Sequence, residues 1–508
     1  MNIITPQPRE IITNENVFTF SKETSINTTI SDLAEYLKTT LALDTGIILE
    51  QTSTDSKIEL FLDESLELEC EGYILRVSEI SIIISASSEE GLFYGIQTLR
   101  QLLYEKKGKW FVDGVKIIDK PRFEWRGFML DVCRHYQPVE TIKKLIDAIC
   151  LVKMNKLHLH LTEDQGWRIE IKNYPKLTEI GSKRKDTKIG SHLSKKFRGE
   201  PHSGFYTQEE IRDVIQYAKK RYVEVIPEIN IPGHSSAAIS SYPNLSCKGE
   251  QIEVKTKPGI YADIYCAGKE TTFDFLEGVL DEVIEIFPSK YIHIGGDEAP
   301  KTRWKACPYC QERIKKENLK DERDLQVYFT NRVAKYLESK GKCIIGWNEI
   351  LGESLNKNAI VQWWLGNPKK VKKYIPKGRK FVMSPFGKTY LDYNYLMHPM
   401  RKFYFEPVPN PVKTYESGII GVETPIWTEW VPNLERLGWQ VFPRLFATAE
   451  VAWTKPNLMN YALFKKRIPQ LLKFLDALGI PYAELEEVDP SNWKRFTHLR
   501  KWLQWPEV

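Results

Sequence analysis

The sequence predicts an α/β protein in which a (β/α)8 TIM barrel, residues 121–508 with a C-terminal tail, follows a smaller α+β domain, residues 1–120. Three observations predict it. The 508 residues exceed the roughly 250–300 at which a single core stops growing. After residue 120, short apolar runs alternate with longer stretches of helical periodicity. Polar, ionisable and aromatic residues gather at the C-terminal ends of those runs, where barrel enzymes build their sites.

In the first domain, residues 58–62 and 73–77 alternate as strands, and 81–86 form an apolar strand. Residues 91–104 carry Leu92, Ile96, Leu99 and Leu103 on one helical face. Lys120-Pro121 marks the boundary, because proline fits the interior of neither a ladder nor a helix. Beyond it, strands are predicted at 127–132, 156–161, 222–228, 291–295, 343–347, 360–364, 380–384 and 421–427. Helices are predicted at 139–152, 208–219, 272–287 and 325–337. Parallel strands need crossovers of about a dozen residues, and about eight such units close a barrel. A doubly wound open sheet is the rival architecture, but no glycine-rich phosphate loop follows the first strand.

Composition narrows the function classes. The hydrophobic content of 42% and charged content of 27% are those of a soluble globular chain. Net charge is +5 with both signs interspersed, and the basic runs at 183–185 and 369–373 are short. They read as solvated faces, so no nucleic-acid partner is expected. No apolar run is long enough to span a bilayer, so no membrane partner is expected either. Residues 1–8 lack the basic start and apolar core of a leader. The expected compartment is therefore the cytoplasm, or the periplasm or exterior if a leader has been removed.

Eight cysteines without framework spacing read as free thiols. Cys307-Pro-Tyr-Cys310 is the exception, yet a zinc site takes about four ligands and no second CxxC pair exists. A local loop disulfide or two plain thiols is the expectation there, with no metal and no cofactor.

The rim is where chemistry is expected. Asp131, Arg134 and His135 end the first predicted strand, and His158, His160, Glu163, Asp164 and Trp167 attend the second. Glu228, Asn230 and His234 follow the third; His293, Asp297 and Glu298 the fourth. Later ends supply Trp347, Asn348, Glu349, Trp363, Trp364, Tyr390, Asp392, Trp427 and Glu429. Carboxylates and arginine bind hydroxyls, and aromatic faces stack on C–H surfaces, so such a rim suits a sugar ring. Hydrolysis of a sugar needs a proton donor for the leaving oxygen and a negative group against an oxocarbenium-like centre. Asp297-Glu298 offers both, since successive side chains at a strand end diverge. Gly295-Gly296 lets the backbone turn there.

These residues resemble the family 20 glycoside hydrolases, the β-N-acetylhexosaminidases. The resemblance rests on His-Ile-Gly-Gly-Asp-Glu at 293–298 and Lys-Leu-His-Leu-His-Leu-Thr-Glu-Asp-Gln-Gly-Trp-Arg at 156–168. Arg-Gly-Phe-Met-Leu-Asp-Val-Cys-Arg-His-Tyr at 126–136, Pro-Glu-Ile-Asn-Ile-Pro-Gly-His at 227–234 and residues 91–103 of the first domain are similar to further family segments. The resemblance implies exo-acting, retaining hydrolysis of terminal β-linked GlcNAc or GalNAc, with the substrate's 2-acetamido oxygen as nucleophile. It makes Glu298 the general acid and base, Asp297 the partner of the acetamide N–H, and Tyr390 a donor to the acetamide oxygen. His234 would relay to the acid/base, with Glu163 where the family usually has Asp. Trp347, Trp364 and Trp427 would box the acetyl methyl group, with Trp363 as the alternative to Trp364. Arg134 would fork onto ring hydroxyls 3 and 4, and Asp392 and Glu429 would bind hydroxyls 4 and 6. Their carboxylates disfavour a sulfated position 6.

The chain also departs from the family at Asn230 and Asn348, both often Asp. Rival readings are a disaccharide-releasing lacto-N-biosidase, an inactive glycan-binding protein, and a metal-dependent hydrolase using His158, His160, His293 and Asp297. The expected partner is a glycan with terminal β-N-acetylhexosamine, on a monomer or homodimer.

Overall fold

The barrel closes. In the computed structural model, which describes residues 3–52, 57–408 and 417–498, eight parallel strands form one ring. They are β1 (Trp125–Asp131), β2 (Lys156–His160), β3 (Glu224–Ile231), β4 (Tyr291–Gly295), β5 (Cys343–Trp347), β6 (Ile360–Trp363), β7 (Phe381–Met383) and β8 (Ile419–Ile426). Each pairs with the next, and β8 pairs with β1 from Gly421↔Trp125 to Ile426↔Leu130. That last pairing removes the open-sheet alternative. The first two residues and 499–508 of the expected tail lie outside the described residues.

All eight predicted strands are present, and the third differs most. It runs on past Glu228 to Ile231, because it gains a residue against β4: Glu228 pairs with His293, and Ile231 with Gly295. An extra residue in a ladder kinks the strand and re-aims a side chain; here it is Asn230 that turns toward β4. Crossover helices α1 (Val139–Leu151), α2 (Gln208–Lys219), α3 (Glu270–Ile286) and α4 (Glu322–Ser339) match the predicted segments within a few residues at their ends. A capping box starts α2: Thr207 accepts from the Glu210 backbone N–H, and Glu210 reaches back to Thr207.

The first domain is an eight-stranded sheet covered by helices Ser31–Thr45 and Glu89–Leu102. Its outer strand Glu10–Thr19 escaped sequence reading for a physical reason. It is exposed on both faces along most of its length, so it has no apolar alternation. Buried charge joins the domains. Lys153 Nζ, before β2, lies 3.2 Å from Asp119 Oδ2 with both side chains fully buried. Tyr73 and Trp453 Nε1 also donate to Asp119, at 2.8 and 2.9 Å. Arg126 of β1 donates through Nη1 to Glu71 at 2.9 Å.

Inside the ring the filling is layered. Trp125, Ile226, Ile345, Ile360, Val382 and Ile420 form a separate apolar plug. Above it sit buried polar side chains. His158 Nδ1 and Gln362 Nε2 each meet Glu423 Oε1 at 2.8 Å, and Glu228 Oε2 lies 2.6 Å from His160 Nδ1 and 3.0 Å from His158 Nε2. The cavity opens above this layer.

Candidate active site

The turn after β4 carries the two acids. Gly295 and Gly296 have φ of 64° and 94°, in the left-handed region that glycine enters without strain. A Cβ on Gly295 would stand 2.0 Å from Asn230 Oδ1, and one on Gly296 would stand 2.2 Å from Ile350 Cγ2. The requirement is thus both conformational and steric. Glu298 and His234 also hold positive φ, 44° and 50°. Such non-glycine strain persists where the surroundings over-determine it, as at functional sites.

Asp297 points inward. Asn230 Nδ2 donates to its Oδ1 at 3.1 Å, and His234 Nε2 lies 3.5 Å from its Oδ2. Glu298 stands nearer the opening, with about a third of its side chain exposed and Oε2 3.7 Å from His234 Nε2. Burial pushes the Glu298 carboxyl above its ordinary pKa, and the Asp297 charge adds to the rise.

His234 rests on Glu163, whose Oε1 is 2.7 Å from Nδ1, with Asp164 Oδ2 at 3.3 Å. Burial opposes an imidazolium there, but Glu163 and Asp297 outweigh it and hold His234 well above the usual histidine range. The extra methylene of Glu163, relative to the Asp often found in the family, lets one carboxylate serve two cations. Its Oε2 also lies 2.9 Å from Arg134 Nη2. Glu163 therefore sits beneath the cavity, supporting His234 and Arg134, and does not line it.

Arg134 is held on every side. Its Nη1 lies 3.2 Å from Asp131 Oδ2, Nε donates to Gln165 Oε1 at 3.0 Å, and Nη2 approaches Glu429 at 3.8 Å. The guanidinium also covers the Trp427 ring at 4.8 Å. Asp392 and Glu429 face the same space; burial raises both, and Glu429 pushes Asp392 further up.

Aromatic walls complete the cavity. Trp347 donates through Nε1 to Glu228 at 3.2 Å and tilts against Trp427 with centroids 5.8 Å apart. Trp364 stacks on Tyr390 at 6.0 Å, while Trp363 is buried against Phe381 and does not line the cavity. Of the doublet, Trp364 is the one that lines the cavity. Asn348 Oδ1 accepts the backbone N–H groups of Trp364 and Leu365 at 2.9 and 3.1 Å. An amide oxygen does this as well as a carboxylate would.

Arg134, His234, Asp297, Glu298, Trp347, Trp364, Tyr390, Asp392, Trp427 and Glu429 thus enclose one cavity of about 170 Å³. His192, Phe386, Tyr393 and Trp430 line it too and were not foreseen. His192, Tyr393 and Trp430 come from loops and Phe386 opens the short helix Phe386–Thr389, and no periodicity marks them. Glu349 was noted only as a strand-end residue; it accepts from Trp364 Nε1 at 2.9 Å. Burial, helped by Asp297, pushes it up to about 7. The four donors of the metal-hydrolase reading do not converge. His158, His160 and His293 surround Glu228 in the buried layer, whereas Asp297 belongs to Asn230 and His234.

Two sequence models match in tandem: the glycosyl hydrolase family 20 catalytic domain over residues 123–456, and domain 2 of the same family over 2–120. A β-hexosaminidase of Porphyromonas gingivalis is 39% identical over 95% of this chain and 64% of its own length; this chain thus spans just under two thirds of that relative. A β-hexosaminidase of Vibrio furnissii is 34% identical over 87% of this chain and 75% of its own length. Among solved structures, an exo β-N-acetylglucosaminidase of Vibrio harveyi in complex with N-acetylglucosamine superposes with a TM-score of 0.86. It is 32% identical and covers 95% of this chain and 78% of its own. A β-N-acetylhexosaminidase of Bacteroides fragilis gives 0.82 at 34% identity, covering 97% of this chain and all of its own.

Proposed function

The chain belongs to glycosyl hydrolase family 20, and on that footing we propose that it is an exo-acting β-N-acetylhexosaminidase that hydrolyses with retention through its substrate's acetamide. One observation carries the reading: two adjacent acids meet a single cavity in unlike settings. Asp297 is deep, oriented by Asn230 and His234, while Glu298 is half-buried at the opening with its carboxyl raised.

Glu298, protonated, gives its proton to the glycosidic oxygen as that bond breaks. The acetamide oxygen attacks C1 and forms a cyclic oxazolinium ion, whose N–H is held by the Asp297 carboxylate. Water then attacks C1 from the side the leaving group vacated, the C1–O bond to the acetamide breaks, and Glu298 takes the water's proton, restoring the acetamide, the acid and the β-configuration. Tyr390 donates to the acetamide oxygen, and Trp347, Trp364 and Trp427 exclude water around the acetyl methyl group. Arg134, fixed as a planar fork, matches a vicinal diol as Lys would not. Asp392 and Glu429 bind the outer hydroxyls. A cavity of about 170 Å³ supports one sugar ring rather than two.

Release rates from aryl β-GlcNAc, β-GalNAc, 6-sulfo-GlcNAc and lacto-N-bioside substrates test this. Turnover of the first two, with the sulfated sugar poor and the disaccharide inert, is expected. Preferential release of the disaccharide would overturn the exo assignment.

A further inference from the structure

The expectation of an isolated CxxC pair is overturned by the fold. Cys307 and Cys310 lie just beyond the Asp297-Glu298 turn, flanking the start of the helix Pro308–Lys316. Two thiols from the far ends of the 247–266 excursion after β3 meet them. We propose that Cys247, Cys266, Cys307 and Cys310 bind one zinc ion, which ties the loop after β3 to the loop after β4.

The spacing of the sulfurs fits a tetrahedral site. Cys266 Sγ lies 3.6 Å from Cys310 Sγ and 3.7 Å from Cys307 Sγ, and Cys247 Sγ lies 3.8 Å from Cys310 Sγ. All four sulfurs are within 4.8 Å of one another. A zinc–sulfur bond of about 2.3 Å gives a tetrahedral edge of about 3.8 Å. A disulfide would need about 2.05 Å, and four mutually adjacent thiols have no preferred pair. A tetrahedral set of four sulfurs selects a thiophilic ion over oxygen-seeking ones. Cys266, Cys307 and Cys310 are buried and Cys247 is partly so, which leaves no open coordination position of the kind a catalytic zinc keeps.

The backbone is shaped for it. Any Cβ on Gly268 would stand 2.1 Å from the Tyr309 carbonyl carbon and 2.4 Å from the Cys310 nitrogen, so only glycine lets the two sulfur-bearing turns come so close. Around the cluster, Trp304 Nε1 donates to the Tyr265 carbonyl at 2.9 Å and Arg303 to Asp263 at 2.7 Å.

The clamp bears on the rim through the excursion it closes. The Lys257 carbonyl accepts from Gln165 Nε2 at 2.8 Å, and Gln165 in turn accepts from Arg134. Lys255 N–H donates to the Asp164 carbonyl at 3.0 Å, next to the partner of His234. Zinc here is structural: it fixes the seat of Arg134 and touches no substrate.

Metal analysis of the full chain, purified reduced and without added metal, tests the proposal. One zinc per chain is expected, with the four thiols masked from a thiol reagent until the metal is removed. Replacement by cobalt is expected to give the sulfur-to-cobalt charge-transfer band and the intense visible bands of a tetrahedral thiolate site, a readout that needs no variant. Cys266→Ser and Cys310→Ser are expected to lose zinc and lower Tm, and Cys70→Ser to keep both. A chain that takes up no zinc or cobalt with its thiols reduced, or that retains full zinc in Cys266→Ser, would overturn it. So would native disulfides among these four residues.

Discussion

Glu163 Oε1 lies 2.7 Å from His234 Nδ1, and this contact fixes which way the histidine's other nitrogen faces. Nε2 is left toward Asp297 and Glu298, at 3.5 and 3.7 Å. A cation held there opposes the rise that burial and Asp297 impose on the Glu298 carboxyl. His234→Asn, which tolerates a φ of 50°, removes that charge. It is expected to lower kcat/KM about tenfold, roughly 1.4 kcal/mol, and to move the alkaline limb of the pH–rate profile, set by Glu298, to higher pH. Lower activity on an unmoved profile would reduce His234 to a packing role.

The two acids should separate by leaving group. Glu298→Gln is expected to cut turnover of poor leaving groups by about 10²–10⁴-fold, with much less effect on a nitrophenyl glycoside, whose oxygen needs no proton. Asp297→Asn is expected to lower kcat by about 10²–10³-fold for both kinds of substrate, because the charge opposing the oxazolinium is lost. Steady-state rates on a leaving-group series decide it; parallel losses in the two variants would mean that their roles are not distinct.

Neighbouring tryptophans should part in what they affect. Trp363 is buried in the core against Phe381, so Trp363→Ala is expected to cost about 3–5 kcal/mol of stability. Trp364 lines the cavity and stacks on Tyr390. Trp364→Ala is expected to raise KM and lower kcat with little change in Tm. Thermal melts beside kinetics on both variants check the split.

Alkaline pH should loosen the barrel. Burial opposes charge on His158 and His160, but Glu423 and Glu228 outweigh it and raise them to about 9 and about 10. A folded pKa above the unfolded value of about 6.5 adds stability that is complete below that value. It is lost progressively above that value and is gone once pH passes about 9 to about 10. Glu228 and Glu423 are held below the ordinary carboxylate range, so their share is lost in acid instead. Tm measured across pH should therefore fall from about 6.5 and level off by about 10, and His158→Gln should flatten that limb.

Much of the site was legible because its chemistry follows strand ends. Asp297-Glu298 could be placed from an apolar run and two glycines, and Arg134, His234, Trp347 and Trp427 sit at equivalent ends. What stayed hidden has physical reasons. The Trp363-Trp364 doublet gives no sign of which ring faces inward, and β6 decides it by ending at Trp363. Asn230 reaches Asp297 only because β3 carries an extra residue, which pairing and not pattern reveals. His192 and Trp430 arrive from loops, and Phe386 from a four-residue helix too short to show periodicity. The thiol cluster escaped a motif search because its ligands lie in separate crossovers, joined only once the barrel has closed.

Inhibition by the thiazoline analogue of N-acetylglucosamine, in which sulfur and nitrogen copy the cyclised acetamide, tests the central claim most directly. If the acetamide is the nucleophile and Asp297 holds its nitrogen, the analogue should inhibit the parent competitively and far more tightly than N-acetylglucosamine. Asp297→Ala should lose most of that advantage. An analogue that binds no better than the free sugar, or equally well with and without Asp297, would contradict it.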